Sequence, residues 1–269
     1  MPILTTSNLT RKFGDFKAVD NLNLTVNEGE VFGLLGPNGA GKTTSIKMII
    51  TLLPPTSGSA SIGGYDVSRN SSQVRRLIGY VPQILSADGT LTGFENLLVF
   101  SKLYDLPRQG RKEHIWDALE FMGIGDFGNK LVKNYSGGMV RRLEIAQSML
   151  HNPRLLFLDE PTIGLDPVGR KAVWDHIEKL RVDFGTTIFV TTHYMEEADQ
   201  LCSHLAIMNH GKVVASGTPT SLKASINQDD ATLDDVFSFY AGDVLESGGS
   251  DPNGALKNLA TAFPGQNQG

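Results

Sequence analysis

The stretch Gly36-Pro37-Asn38-Gly39-Ala40-Gly41-Lys42-Thr43-Thr44 restricts what this chain can fold into more than any other part of it. It fits G-x-x-x-x-G-K-[ST], a loop whose backbone N–H groups cradle phosphates while the lysine reaches the terminal ones. Glycine is required where backbone must approach an anion, because a side chain would stand in the way. Such a loop has to leave a buried strand and enter a helix, and the flanks provide both. Glu30-Val31-Phe32-Gly33-Leu34-Leu35 reads as a short buried strand. Lys42 to Leu53 carries Ile46, Met48, Ile49, Ile50, Leu52 and Leu53 before Pro54-Pro55, so a helix is predicted over that span. Strand, glycine loop and helix in this order specify an α/β core with a nucleoside triphosphate as its ligand.

The rest of the chain extends that core. Leu22-Asn23-Leu24-Thr25-Val26 alternates with period two, and with Ile3 to Leu9 it predicts a small amino-terminal antiparallel sheet. A further strand is expected at Ile78-Gly79-Tyr80-Val81, running into Pro82-Gln83. From residue 84 to 152 the strand signal disappears. Phe94, Leu97, Leu98, Phe100, Leu103 and Tyr104 have helical spacing, as do Ile115, Ala118, Leu119 and Met122, so a separate helical subdomain is expected there. Strands return at Leu155-Leu156-Phe157-Leu158-Asp159, an apolar run suited to a parallel sheet covered on both faces, and at Ile188 to Thr192. A helix is predicted from Pro167 to Phe184, closed by Gly185, and a hairpin from Leu205 to Ala215. The expected division is a core of residues 1–83 and 153–225, helices over 84–152, a terminal helix over 232–240, and a disordered tail over 246–269 rich in Gly, Ser, Asn and Gln.

Composition limits the partners. A net charge of −5 offers no broad basic field, which argues against nucleic acid as the principal partner. The single cysteine, Cys202, excludes an internal disulfide and suits a reducing compartment. No apolar run approaches the ~20 residues needed to span a bilayer, and the first residues lack the features of a signal peptide. Attachment to a membrane would therefore come through another protein.

Several residues carry chemistry. Asp159 ends an apolar strand, where phosphate-loop enzymes place an acid to hold magnesium together with the hydroxyl after the loop lysine, here Thr43. Glu160 follows, where a carboxylate can polarise a water beside the γ-phosphate. His193 stands after the next strand, either as a structural residue or as a hydrogen-bond partner of the γ-phosphate. Phe13, in Lys12-Phe13-Gly14-Asp15-Phe16, is either core or a stacking surface for adenine. Tyr135-Ser136-Gly137-Gly138 leads into the apolar-faced helix Leu143, Ile145, Ala146, Leu150, which makes a second anion-binding element or a plain helix cap. Two phosphate-binding elements in one chain suggest a nucleotide held between two copies.

In their order and spacing these motifs resemble the ATP-binding subunit of ABC transporters, over about residues 3 to 240. The resemblance implies a P-loop NTPase (RecA-like) core with an antiparallel β subdomain and an inserted helical subdomain that carries the signature. It assigns Gly36 to Thr43 to the Walker A loop, with Thr44 following as a further nucleotide-binding residue, Leu155 to Asp159 to Walker B and Ser136-Gly137-Gly138 to the signature. Gln83 falls at the Q-loop, where it would also reach magnesium, Gly164-Leu165-Asp166 at the D-loop and His193 at the H-loop. Phe13 would stack on adenine, Lys42 would neutralise phosphate charge, and Glu160 would be the catalytic base. ATP and Mg2+ are the implied cofactors. The implied partners are a second copy, joined head to tail on ATP binding, and a membrane permease against whose cytoplasmic face the chain would sit. Met139 stands where the commonest signature has glutamine, and Val140-Arg141-Arg142-Leu143-Glu144 follows. This form, with Thr232-Leu233-Asp234-Asp235-Val236-Phe237, looks like the branch serving ABC-2 type exporters, the alternatives being an importer ATPase or a soluble ABC ATPase outside transport. Ile84, Leu85, Leu91 and Phe94 are candidates for docking the permease or are ordinary helical core.

Overall fold

Side-chain alternation builds the first layer. The structure is a computed structural model and describes residues 1–226, 228 and 230–247. In β1 (Pro2–Phe13) and β2 (Phe16–Asn27), which pair antiparallel, Leu22, Leu24 and Val26 are buried while Asn23, Thr25 and Asn27 between them are exposed. A turn leads to β3 (Val31–Leu35), buried throughout, and the glycine loop leads to α1 (Lys42–Ile49). The helix ends four residues before the predicted Leu53. Thr51 takes a left-handed φ of 71° and the N–H groups of Leu52 and Leu53 both turn back to the Lys47 carbonyl, so the chain reverses before the prolines are reached. β4 (Ser57–Ile62) then pairs with β1, and β5 (Tyr65–Asp66) completes a sheet of order β2-β1-β4-β5. A short α2 (Ser71–Leu77), which carries no apolar periodicity, precedes β6 (Ile78–Val81).

Between residues 82 and 154 the structure has helices and one isolated bridge, Thr92 to Leu131. α3 (Gly93–Leu103) starts at a capping box in which the Thr92 side chain accepts from the Glu95 N–H and the Glu95 carboxylate accepts from the Thr92 N–H. α4 (Arg111–Phe121) and α5 (Gly137–Met149) follow, with Ser136 capping α5. Then come β7 (Leu155–Asp159), α6 (Pro167–Phe184), β8 (Thr187–Thr192), α7 (Met195–Leu201), the hairpin β9 (His204–Asn209) and β10 (Lys212–Gly217), α8 (Pro219–Ala224) and α9 (Leu233–Ser247). The terminal helix, expected over 232–240, thus includes Glu246 and Ser247, which the sequence reading assigned to a disordered tail. Gly242 lowers helix propensity by about 1 kcal/mol but removes no N–H, so it does not stop the helix. The remainder of that tail, residues 248–269, lies outside the described residues.

The second sheet has the order β10-β9-β3-β8-β7-β6. Its five inner and far strands run parallel and only β10 is antiparallel, so β3, β6, β7 and β8 deliver their carboxyl ends to one edge. Successive residues serve opposite faces. Phe32, Leu34, Phe157 and Phe189 join the core shared with α1, β1, β2 and β4, with ring centroids 5.3 Å apart for Phe32–Phe189 and 5.2 Å for Phe157–Phe189. Val31, Leu35, Leu156, Leu158 and Val190 join the core built by the helices on the other side. Cys202 is buried beneath that face, and burial pushes its thiol pKa up to about 12. Among the described residues no helix is long and apolar enough to cross a membrane.

Candidate functional site

The loop after β3 is held from behind. A Cβ at Gly36 would lie 2.1 Å from the Met208 carbonyl oxygen, and one at Gly41 would lie 2.5 Å from that of Ala18. Gly41 also has a φ of 107°, which L side chains rarely adopt. The hairpin β9–β10 and strand β2 therefore press the loop outward, leaving Pro37, Asn38, Gly39, Ala40, Thr43 and Thr44 around an open cleft of about 530 Å³. Lys42 crosses beneath the loop. Its Nζ donates to the Gly36 carbonyl at 2.7 Å and the Pro37 carbonyl at 3.3 Å, and lies 3.1 Å from Glu160 Oε1 in a buried ion pair.

At the end of β7, Asp159 is 1% exposed. Its Oδ1 accepts from Thr43 Oγ1 at 3.2 Å and from Thr191 Oγ1 at 2.6 Å. Its Oδ2 is buried without a hydrogen-bond partner among the described residues. A buried carboxylate oxygen left unpaired beside a threonine hydroxyl is a donor set suited to a hard divalent cation, which favours oxygen ligands. Nearby Tyr80 has its phenol pKa pushed up to about 12, first by burial and then by the negative charge of Asp159. Glu160 departs from the strand with a left-handed φ of 51°, a conformation fixed by its N–H donating to both the carbonyl and the hydroxyl of Thr191 at 3.1 Å. That turn aims the carboxylate along the cleft, where Oε2 meets His193 Nδ1 at 2.8 Å. Thr191 thus holds both acids, and the sequence reading did not single it out.

Phe13 and Phe16, opposite each other in the β1–β2 register, both line the cleft, so the hairpin supplies two exposed aromatic rings where one was expected. Arg11 lies over the Phe13 ring at 4.6 Å. Gln83 also lines the cleft, with an exposed side chain.

Ser136, Gly137, Gly138 and Asp166 do not join this group. They line a separate depression of about 390 Å³ between the starts of α5 and α6. Ser136 Oγ accepts from the Met139 N–H at 3.3 Å, and Asp166 Oδ1 caps α6 by accepting from the Gly169 N–H at 2.6 Å. A polar cluster follows Gly169 of that depression. Arg170 stacks 4.6 Å over the Tyr194 ring, beside His193, and lies 3.8 Å from Glu197, which accepts from Thr162 Oγ1 at 2.8 Å. Burial raises the Glu197 pKa, and the Thr162 hydroxyl and Arg170 partly offset it.

Residues 19–163 match the family profile described as ABC transporter. The chain is 47% identical over 223 residues to the daunorubicin/doxorubicin resistance ATP-binding protein DrrA of Streptomyces peucetius, an overlap of 83% of this chain and 67% of that protein. It is 40% identical over 220 residues to Nod factor export ATP-binding protein I of Cupriavidus metallidurans, an overlap of 82% and 72%. A solved ATP-binding cassette, dimeric in a post-hydrolysis state and bound to ADP and phosphate, matches with a TM-score of 0.71 at 27% identity, over 80% of this chain and 98% of that one. The expected P-loop NTPase fold holds, and the chain belongs to the ABC transporter family as an ATP-binding, ATP-hydrolysing subunit.

Proposed function

We propose that two copies of this chain close head to tail over two ATP molecules, hydrolyse them, and thereby drive a separate membrane permease that exports its cargo. The observation that carries this reading is the separation, within one chain, of the phosphate loop from Ser136-Gly137-Gly138. Each is an anion-binding element with half of its surroundings missing, and a second copy turned head to tail supplies both halves. The dimeric cassette among the similar solved structures supports a two-copy assembly. Relatives named for drug resistance and for export favour outward transport, and a permease partner sets the chain against the cytoplasmic face of the membrane.

In this mechanism the N–H groups of Gly36 to Thr44 hold the phosphates, and Phe13, extended by Phe16, stacks on the base. Lys42 exchanges the Gly36 and Pro37 carbonyls for phosphate oxygens. Thr43 and Asp159, with Gln83 reaching in from the exposed side, are the residues that would hold magnesium. That ion supplies neutralisation of charge on the phosphate oxygens. Glu160 orients the attacking water and takes its proton, while His193 holds the Glu160 carboxylate in line and faces the γ-phosphate. The helices of residues 84–152 act as one unit bearing Ser136 to Gly138, and Asp166 faces the second copy. Ile84 and Leu85, 81% and 48% exposed, offer the permease an apolar contact beside half-buried Leu91 and Phe94.

Purified chain should hydrolyse ATP. Glu160→Gln should keep ATP affinity, lose at least about 100-fold in kcat and elute as a dimer with ATP, whereas Lys42→Ala should lose binding. Undiminished turnover by Glu160→Gln would remove that residue from the role of base. A chain that stays monomeric in the Glu160→Gln ATP complex would count against the two-copy site.

A further inference from the structure

The run Val140-Arg141-Arg142-Leu143-Glu144 has no role in the ATP chemistry just described, yet among the described residues it contains the most deeply buried charge pair outside the cleft. Arg141 is 2% exposed and Glu144 3% exposed. Arg141 Nη1 donates to the Pro82 carbonyl at 2.6 Å and to Glu144 Oε2 at 3.0 Å, and Nη2 donates to the Gln83 carbonyl at 2.8 Å. Glu144 Oε1 accepts from the N–H of Ser86, from Ser86 Oγ at 3.1 Å and from the N–H of Ala87 at 3.3 Å. Two side chains of α5 thus grip the backbone of residues 82–87 at both ends.

Burying two charges for stability alone is a poor exchange, since an apolar pair of similar volume is often as stable or more so. What an apolar pair cannot do is fix a loop by its carbonyl and N–H groups. We propose that Arg141 and Glu144 are positioning residues that fasten the loop bearing Gln83 to α5, the helix capped by Ser136. Gln83 then moves as one body with the element offered to the second copy, and its side chain reaches the nucleotide cleft only when α5 is seated. This inference rests on the ATP-hydrolysing reading above.

The test uses the full chain with ATP as the probe. Arg141→Met/Glu144→Met leaves no unpaired buried charge but strips the 82–87 backbone of its side-chain partners, so its melting temperature should fall by only a few degrees. Its kcat should fall about 10- to 100-fold, the scale of a small misplacement, with KM for ATP changed by less than roughly threefold. Amide exchange across residues 82–87 should quicken about tenfold or more while the Gly36 to Thr44 segment is unchanged. Arg141→Lys, which retains the charge and one carbonyl contact, should recover part of the kcat. Wild-type kcat and wild-type exchange in the double variant would overturn the proposal, as would faster exchange spread evenly over the chain. Should the wild type itself fail to hydrolyse ATP, the ATPase reading falls, and the exchange comparison decides the clamp alone.

Discussion

One hydroxyl, that of Thr191, donates to Asp159 and accepts from the N–H of Glu160. It therefore ties the residue offered to a cation to the residue offered to water. Thr191→Val keeps the shape and deletes both bonds, leaving Asp159 Oδ1 with Thr43 alone while the Glu160 N–H keeps only the Thr191 carbonyl. The expected cost is about 1–3 kcal/mol in urea denaturation, together with a loss of kcat that exceeds any change in KM. Glu197 gives the pH dependence at this scale. Burial raises its pKa, so in the pH interval just above the ordinary glutamate value the folded chain binds more protons than the unfolded one. Its contribution to stability is highest below the unfolded pKa and falls as pH rises through the folded pKa. The difference in stability between wild type and Glu197→Gln should therefore vary with pH across that interval. Parallel pH profiles would show that Glu197 does not titrate this way.

Helices in this chain were legible where they carry an apolar stripe or a local cap. α6 spans Pro167 to Phe184 as the sequence predicts from Pro167 and Gly185, and the structure adds Asp166 as its cap and a φ of 65° at Gly185. α2 and α8 each bury a single residue, Val74 and Leu222, and so offered no periodicity to read. The site divides in the same way. Gly36 to Thr44 is a local pattern and declares itself. The bond from Thr191 to Asp159 spans 32 positions and that from Arg141 to Gln83 spans 58, so only the folded chain brings each pair together. Local caps also give measurable predictions. Thr92→Ala removes one half of the α3 capping box and should lower unfolding stability by about 1 kcal/mol, with no change in ATP affinity. A shift in affinity would mean that α3 reaches the cleft more directly than its capping contacts indicate.

At the scale of the whole molecule, the two depressions predict complementation. Lys42→Ala damages the phosphate loop and Ser136→Arg damages the facing element, so each chain alone should be nearly inactive. Mixed, they can form pairs with one intact site, and turnover should rise above that of either variant. No recovery at any mixing ratio would argue that each chain works its own cleft unaided. Cys202 makes such pairings unusually simple to map. Its thiol is the only one in the chain, buried and shifted to about 12, and is expected to ignore maleimides in the native state and react once the chain is unfolded. A cysteine introduced at Ile84, toward the proposed permease, or at Val168, 79% exposed on the rim of the second depression, would then be the sole reactive handle. The natural sequence is already a labelling background, with no residue to remove first.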